Sequence, residues 1–466
     1  MPLNSIAPSD LNTDDLAAAL RGTVLTPRDD GYDAARRIWN GRFDHRPAAI
    51  VQCADGPDVV ATVNFARELD LLLAVKGGGH SYAGKAGCDG CLLLDLSRMD
   101  GVRIETESRS ATVQPAATWG EFDRRAQAHG LATPGGTVST VGVAGLTLGG
   151  GSGYLTRKHG LTIDNLLAAE VVTADGRLLR ASQEEHPDLF WALRGGGGNF
   201  GVVTSFEFRL HEVGPEVLAG QIMYPFSVAP DALRLYRDSI ANAPNELTCY
   251  AFVLRVPPIP AFPEEFHGEL AIDFVFCYAG DVFAGEEVIR PLLELGEPIL
   301  AAVAPQPYTA VQQAFDEGLP AGQRYYSRAQ DLAGLPDEAI ETVVRCAEGM
   351  VGPYTVFYFC PDLGAASRIA SSATAYPHPR SPLVLHVLAG WSEPADDREV
   401  MEWTRGFHDA MTPYATGDVY VNLLAEDEEE RIPAAYGSNY ERLVQLKQEW
   451  DPENFFRVNH NLQPRG

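Results

Sequence analysis

Residues 71–81 read Leu-Leu-Leu-Ala-Val-Lys-Gly-Gly-Gly-His-Ser. A short apolar run followed by glycines is typical of a buried strand that ends in a tight loop. Consecutive glycines let backbone N–H groups converge on a phosphate oxygen, because no Cβ blocks the approach. Residues 47–53 before it predict another strand, and residues 58–70 have the apolar spacing of a helix. The order strand, helix, strand and glycine loop predicts an anion-binding turn.

Two further glycine clusters follow, in residues 135–154 and 194–201. The first interleaves glycines with Val141, Val143, Leu146 and Leu148, which predicts an extended backbone lying against a flat ligand. The G-x-G-x-x-G spacing of nicotinamide-binding folds is absent after the 71–76 strand, so a dehydrogenase of that type fits badly. Three glycine clusters in one half of the chain indicate a large, elongated cofactor.

The chain has 466 residues and a formal net charge of −27 at pH 7. This length exceeds what one hydrophobic core usually serves, so at least two domains are expected. The acidic excess would repel phosphate backbones and anionic lipids, which disfavours nucleic acid and membrane as partners. Residues 1–20 lack the pattern of a secretory signal, and no long apolar stretch follows, so the cytoplasm is the expected compartment.

The second half of the chain differs from the first in its composition and in its predicted elements. Residues 215–420 contain proline-rich loops, longer strands such as 270–280 and helices such as 337–350. This mixture predicts a second α+β domain. Residues 440–450 predict a helix that ends at Asp451-Pro452 and leads into an asparagine-containing tail. We therefore expect an α+β fold in which residues 1–214 form one domain, 215–420 a second, and 421–466 return to the first.

The motifs in this order resemble the vanillyl-alcohol-oxidase-type (PCMH-type) FAD-linked flavoproteins, in their berberine-bridge-enzyme-like branch. Residues 436–443, 451–454 and 456–461 match the closing motif of that branch. The resemblance runs from about Trp39 to Pro464, and bacterial 6-hydroxynicotine oxidases, oligosaccharide oxidases and antibiotic-pathway oxidases look similar over this span. It implies a PCMH-type FAD domain whose flavin is covered by the antiparallel sheet of a substrate domain.

The resemblance also implies how FAD is held. His80 matches the histidine that is bonded to the flavin, whereas Val138 stands where many relatives have a second, cysteinyl attachment. A covalent link through His80 only is therefore expected, and Val141 matches the position that gates oxygen. The remaining residues expected to contact FAD are Lys76, Gly77, Gly78, Gly79, Ser81, Gly136, Thr140, Gly142, Gly145, Gly150, Tyr154, Val203, Asn459 and Asn461. No metal is expected.

The candidate catalytic and substrate-binding residues are chosen from where the sequence departs from the family pattern and from the alternation of side chains along the predicted strands. Leu423 stands where sugar-oxidising relatives have a tyrosine after Tyr-x-Asn, so the most obvious base is missing. His386 lies in an apolar strand and is either a general base tuned near neutral pH or a satisfied core histidine. Tyr420 and Asn422 are further candidates because their strand should border the flavin. One face of the strand at 354–360 presents Thr355, Phe357 and Phe359, which either line a substrate pocket or belong to the core.

The expected activity is oxidation of a C–H bond next to a hydroxyl or amine of a small, apolar or aromatic molecule. Hydride passes to the flavin, and O₂ reoxidises it with release of H₂O₂. An oxygenase or oxidative cyclase of a secondary-metabolite pathway is the alternative, and a flavin-binding protein without catalysis is a third reading.

Two other patterns are expected to carry no chemistry. Cys88 and Cys91 have the C-x-x-C spacing, but no second ligand pair follows, so two free thiols in a loop are expected. The acidic run at 426–430 is expected to be a solvated surface turn rather than a metal site.

Overall fold

The structure is a computed structural model that describes residues 11–379 and 381–465. The expectation that no secretory signal is present rests partly on residues 1–10, which lie outside the described residues. Within the described ranges, no helix has the length and apolar character needed to cross a membrane.

The first sheet is small and carries the glycine loop. In chain order, this part of the protein contains α1 (Asp14–Ala19), β1 (Thr23–Leu25), α2 (Tyr32–Ala35), β2 (Ala49–Gln52), α3 (Gly56–Glu68), β3 (Leu73–Lys76) and β4 (Leu92–Asp95). The four strands form the sheet. The strand order is β1-β2-β4-β3, with β2, β4 and β3 parallel and β1 antiparallel. Asp55 caps α3 by accepting a hydrogen bond from the backbone N–H of Asp58. Because β3 ends at Lys76, the three glycines begin where the strand leaves the sheet.

The second sheet completes the N-terminal unit. Its elements are β5 (Val102–Glu105), β6 (Ser110–Val113), α4 (Trp119–Gln127), β7 (Leu131–Ala132), α5 (Val143–Leu148), α6 (Thr156–His159), β8 (Leu166–Val172), β9 (Leu178–Ser182), α7 (Pro187–Leu193), β10 (Val202–Arg209) and β11 (His211–Glu212). Five strands are ordered β5-β6-β10-β8-β9, and β7 pairs separately with β11. Gly176 has a φ of +80° in the hairpin between β8 and β9, the turn that Asp-Gly predicts.

The glycine-rich segment after Gly142 is not extended, contrary to the sequence expectation. Residues Val143–Leu148 form α5, which buries Val143, Ala144, Thr147 and Leu148. These residues are spaced by one and four positions, so they share one helix face and pack into the core of the N-terminal unit. Gly142 and Gly149 therefore flank a short helix that contains Gly145, and this segment does not form a continuous strand.

The third sheet has seven antiparallel strands and lies over the N-terminal unit. Its elements are β12 (Glu216–Pro225), α8 (Ala229–Ala241), β13 (Leu247–Arg255), β14 (Leu270–Tyr278), α9 (Val282–Leu293), β15 (Leu300–Pro307), α10 (Tyr308–Val311), β16 (Arg324–Leu332), α11 (Asp337–Glu348), β17 (Val356–Cys360), β18 (Leu383–Trp391) and α12 (Asp397–Met411). The strand order is β15-β12-β14-β13-β17-β18-β16. One face packs under α8, α9, α11 and α12, whereas the other contacts Ala132, Tyr154 and Leu155 of the N-terminal unit.

The C-terminal segment packs on the N-terminal half of the chain. It contains α13 (Ile432–Tyr436) and α14 (Tyr440–Trp450). The buried ammonium of Lys447 lies 2.6 Å from Asp451 and donates to the carbonyl oxygens of Asn199 and Phe456. Asn199 in turn donates to the carbonyl oxygen of His460. A buried ion pair with all donors used thus ties the tail to the third glycine cluster.

Candidate active site

A cavity of about 370 Å³ lies between the N-terminal unit, the third sheet and the C-terminal tail. Its walls come from segments that are far apart in the sequence. Its lining includes apolar residues of the first sheet and tail, among them Leu73, Val75, Leu96 and Phe456, and polar residues of β13, β17 and β18. Residues of all three glycine clusters also line it. The cavity therefore brings the glycine clusters, the third sheet and the tail together at one site.

The glycine loop after β3 is held by direct backbone contact with a second loop. A Cβ placed on Gly78 would lie 2.6 Å from both Cα and N of Gly142, and one on Gly142 would lie 2.7 Å from the same atoms of Gly78. Neither residue can carry a side chain without the loops moving apart, because real Cβ contacts are longer. Both loops line the cavity.

His80 lies at the end of this loop with its ring held on one side. Its Nε2 lies 3.2 Å from Oγ1 of Thr140, and its ring stacks on Trp39 with 5.0 Å between centroids. Trp39 is itself stacked on Tyr325. Burial lowers the pKa of His80 to about 4, so the imidazole is neutral at physiological pH. Among the described residues, no hydrogen bond is made to its Nδ1.

His386 lies deep in the third sheet with both ring nitrogens hydrogen-bonded. Its Nε2 lies 2.9 Å from Oγ of Ser327, and that hydroxyl donates to the carbonyl oxygen of Leu423. The Ser327 oxygen must therefore accept from Nε2–H, which leaves Nδ1 to accept from the hydroxyl of Tyr358 at 2.8 Å. Burial lowers the pKa of His386 to about 3. Because it is neutral and both its nitrogens are used, His386 orients Tyr358 and is not tuned as a base near neutral pH.

Tyr420 and Asn422 line the cavity from a 3₁₀ turn, Val421–Leu423, rather than from the expected strand. The Tyr420 oxygen accepts two hydrogen bonds, from the backbone N–H of Gly151 and from Nδ2 of Asn422, both at 2.8 Å. Its own proton is therefore free to be donated. Burial raises the pKa of Tyr420 above its ordinary value, so the side chain is a phenol at neutral pH.

Asp362 is a site residue that sequence reasoning missed. It follows β17 by two residues, lines the cavity and is 5 % exposed. Its Oδ1 accepts hydrogen bonds from Ser152 and Cys360. Burial raises the pKa of its carboxyl group. The signal that could have found it is a lone acidic residue directly after an apolar strand.

The expected substrate-pocket face is wrong. Phe357 and Phe359 point to the helix-covered side, where Phe357 contacts Phe407 of α12. The Thr355 hydroxyl accepts from the backbone N–H of Gly390. Tyr358 and Cys360, on the other face of the same strand, line the cavity. The alternating period was therefore right, and the choice of face was not.

The structure brings most of the expected cofactor residues to the cavity and leaves some outside its wall. Val138 lines it, together with Gly77, Gly78, Gly79, His80, Ser81, Gly136, Val141, Gly142, Gly145, Val203 and Asn459. The residues outside it are Lys76, Thr140, Gly150, Tyr154 and Asn461. Lys76 pairs with Asp95 under the loop, and Tyr154 packs edge-on against Tyr250. Gly150 packs closely against Tyr420, since a Cβ placed on this glycine would lie 3.2 Å from the tyrosine ring.

Two expectations about peripheral patterns are also wrong. Cys88 and Cys91 form a disulfide, because the loop brings their Cα atoms to 5.8 Å. The acidic run at 426–430 is not simply solvated: Glu428 is buried and pairs with Arg328 and Arg431. No group of side chains suited to a metal ion occurs among the described residues.

The residues present fit FAD. Asn459 and His460 line the cavity, and Oδ1 of Asn459 and Nδ1 of His460 are buried without a partner among the described residues. Unpaired buried polar atoms are costly, so a ligand with complementary donors and acceptors is expected beside them. The backbone of Gly77–Gly79 is open to the cavity, as close approach of a flat or phosphorylated group requires.

Comparison with known proteins gives the same assignment. Residues 47–182 match the FAD binding domain family, and residues 419–463 match the family described as berberine and berberine like. The chain is 32% identical to (R)-6-hydroxynicotine oxidase of Paenarthrobacter nicotinovorans over 460 residues, covering 96% of this chain and 98% of the relative.

Solved structures agree. The crystal structure of 6-hydroxy-D-nicotine oxidase from Arthrobacter nicotinovorans superposes with a TM-score of 0.87 at 30% identity, covering 96% of this chain and 98% of that one. Glucooligosaccharide oxidase from Acremonium strictum, described with a 6-S-cysteinyl, 8α-N1-histidyl FAD, matches with a TM-score of 0.85 at 26% identity and covers 97% and 98%. The chain therefore belongs to the berberine-bridge-enzyme-like family of FAD-linked oxidases.

Proposed function

We propose that this FAD-dependent oxidase carries its flavin covalently on His80 alone and oxidises a small, largely aromatic or apolar substrate with release of H₂O₂. The observation that carries the proposal is the arrangement of the His80 ring at the cavity wall. Its Nε2 is occupied by Thr140, and Trp39 fixes the ring plane. Nδ1 is thus the nitrogen available for a bond to the flavin.

The neutral state of His80 supports this attachment. A carbon–nitrogen bond needs the lone pair of an unprotonated imidazole, and burial of His80 lowers its pKa and so favours that form. Val138 lines the cavity and has no nucleophile. Cys360 also lines it, but burial raises the pKa of its thiol and the thiol donates to Asp362. A second, cysteinyl bond is therefore not proposed.

The flavin, when bound, accepts hydride from the substrate and passes the electrons to O₂. The protein supplies orientation and proton handling. Tyr358 donates its proton to His386, so its oxygen presents only lone pairs to the cavity. Tyr420 accepts two N–H groups and has a proton to donate. A substrate heteroatom that both donates and accepts would be held between these two tyrosines. The small Val141 on the wall leaves room for O₂, as the family resemblance implies.

The covalent bond is tested by acid precipitation and by flavin fluorescence on a denaturing gel. We expect a yellow pellet and a fluorescent band from the wild type, and neither from His80→Ala. Thr140→Ala is the matched control, since it removes the hydrogen bond to His80 but not the attachment atom. A fluorescent band from His80→Ala would refute the assignment. Peroxide release on a panel of small alcohols and amines tests the oxidase reaction, and ¹⁸O from O₂ in the product would indicate an oxygenase instead.

A further inference from the structure

We propose that the substrate is an amine, and that Asp362 holds its protonated amino group inside a cage of tyrosine rings. This inference rests on the proposed function, because it names the substrate class of the same site.

The cage consists of Tyr82, Tyr250, Tyr358 and Tyr420, all of which line the cavity. Tyr250 and Tyr358 meet edge to face with 5.8 Å between centroids. Tyr82 lies with its centroid 5.6 Å from that of His386, which binds Tyr358. The faces of aromatic rings attract cations through their quadrupole, and the attraction is largest where water is excluded.

Asp362 is an acidic side chain without a counter-ion in contact with it. Its Oδ1 accepts from Ser152 at 3.0 Å and from Cys360 at 3.3 Å, while its Oδ2 has no hydrogen bond to any described residue. No lysine or arginine of the described chain lies within 4.0 Å of it. The positive charge of Arg157 lowers the pKa of Asp362 from farther away, but the Arg157 guanidinium donates its hydrogen bonds to three backbone carbonyl oxygens. Ionisation of a buried carboxyl group in this setting is costly, and a bound cation would remove the cost.

The remaining charges favour the same ligand. Burial raises the pKa of Tyr250, Tyr358 and Tyr420, which keeps these rings neutral beside a cation. Lys85 also lines the cavity, but it pairs with Glu429 at 3.1 Å. The formal net charge of −27 attracts cations and repels anions at long range. An alcohol can also hydrogen-bond to Tyr358 and Tyr420, but it carries no charge for Asp362 to pair with, whereas an ammonium group does.

The reaction balances with this assignment. The ammonium proton passes to the Asp362 carboxylate. The adjacent C–H bond then breaks, its hydrogen is transferred as hydride to the flavin of the oxidase, and a C=N bond forms, so that the product is an iminium ion. O₂ takes up that hydride and one proton as H₂O₂, so no further reactant is needed.

The test compares phenyltrimethylammonium with tert-butylbenzene, which share a shape and differ in charge. Binding to the holoenzyme is followed by the change in flavin absorbance. We expect the cation to bind at least about tenfold more tightly, and Asp362→Asn to lower the affinity for the cation by about tenfold or more without changing that for the neutral probe. Asp273→Asn is the matched control, because Asp273 is a buried carboxyl on the same sheet that does not line the cavity. It should leave both affinities unchanged.

Equal binding of the two probes to the wild type would overturn the proposal, as would an unchanged cation affinity in Asp362→Asn. If that variant does not fold, Tyr250→Leu replaces it and should also weaken only the cation. These measurements need no turnover. An enzyme that prefers the neutral probe and oxidises only alcohols refutes the amine assignment and keeps the oxidase, whereas a cation preference without peroxide release refutes the oxidase function alone.

Discussion

The contact between Gly78 and Gly142 makes the loop that bears His80 sensitive to a single methyl group. In Gly78→Ala the new Cβ would lie 2.6 Å from Cα and N of Gly142, and ordinary contact begins at 3.4 Å. The two loops must therefore separate by about 0.8 Å (3.4 − 2.6), and both are backbone, so no side chain can turn away. Overpacking of this kind costs about 1–3 kcal/mol.

Gly77→Ala is the matched control, because the same methyl group one residue earlier meets only Pro115 O at 3.2 Å and Ala144 Cβ at 3.7 Å. We expect Gly78→Ala to lower the free energy of unfolding by about 1–3 kcal/mol, and Gly77→Ala by less than about 1 kcal/mol. Urea unfolding of purified protein measures both. Because the separation displaces the loop that carries His80 along the cavity wall, Gly78→Ala should also lower the fraction of chains with covalent flavin. This fraction is read from the ratio of flavin absorbance in the blue to protein absorbance in the ultraviolet.

Wild-type stability and flavin content in Gly78→Ala would show that the contact between the two loops does not limit either property, and so would an equal loss in Gly77→Ala. The reciprocal change, Gly142→Ala, meets the same atoms at 2.7 Å and should reproduce the effect. A different result for the reciprocal pair would show that the loops respond to something other than their mutual contact.

Three further outcomes are expected. His386→Phe should lower the rate of flavin reduction. Any inflection of the pH profile of this rate between pH 5 and 8 should remain, because burial keeps the pKa of His386 at about 3. Loss of such an inflection would show that His386 titrates during turnover. Burial raises the pKa of Asp273 to about 7, so the folded state binds a proton between about pH 4 and 7 that the unfolded state lacks. Relative to Asp273→Asn, the wild type should therefore lose stability as pH rises through this window, by up to about 1.4 kcal/mol per pH unit. Urea unfolding of both proteins at pH 5, 6 and 7 measures this, and a difference in stability that does not change with pH would contradict it. Thiol titration of the denatured, unreduced protein should find five of the seven cysteines, and seven would exclude the Cys88–Cys91 bond.

Local structure in the N-terminal half could be predicted because its signals are local. The 71–81 stretch combines an apolar strand with glycines, and Asp175-Gly176 marks the hairpin between β8 and β9. The helix α5 was missed because the glycines at 142, 145 and 149–151 mask a short apolar face. The disulfide was missed because C-x-x-C spacing does not say how the loop folds.

The substrate side of the cavity could not be predicted in the same way, because its residues meet only in the folded chain. Ser327, Tyr358, His386 and Leu423 form one hydrogen-bonded chain, yet they lie on β16, β17, β18 and a 3₁₀ turn. The order of these residues in the sequence does not show that β16 and β17 both pair with β18.

The wrong choice of face on β17 has a physical cause. Both faces of the third sheet are buried, one under helices and one over the cavity, so hydrophobicity alone does not distinguish them. What distinguishes the faces is the few polar groups: Tyr358 pairs directly with His386 across the strands, whereas Phe357 pairs with Val387. A histidine in an otherwise apolar strand marks the face toward the cavity, because a buried polar group needs a partner and the helix-covered face is lined by apolar side chains. Taking the phase of β17 from His386 places Tyr358, Cys360 and then Asp362 on the cavity side, and that is the wall on which the amine proposal depends.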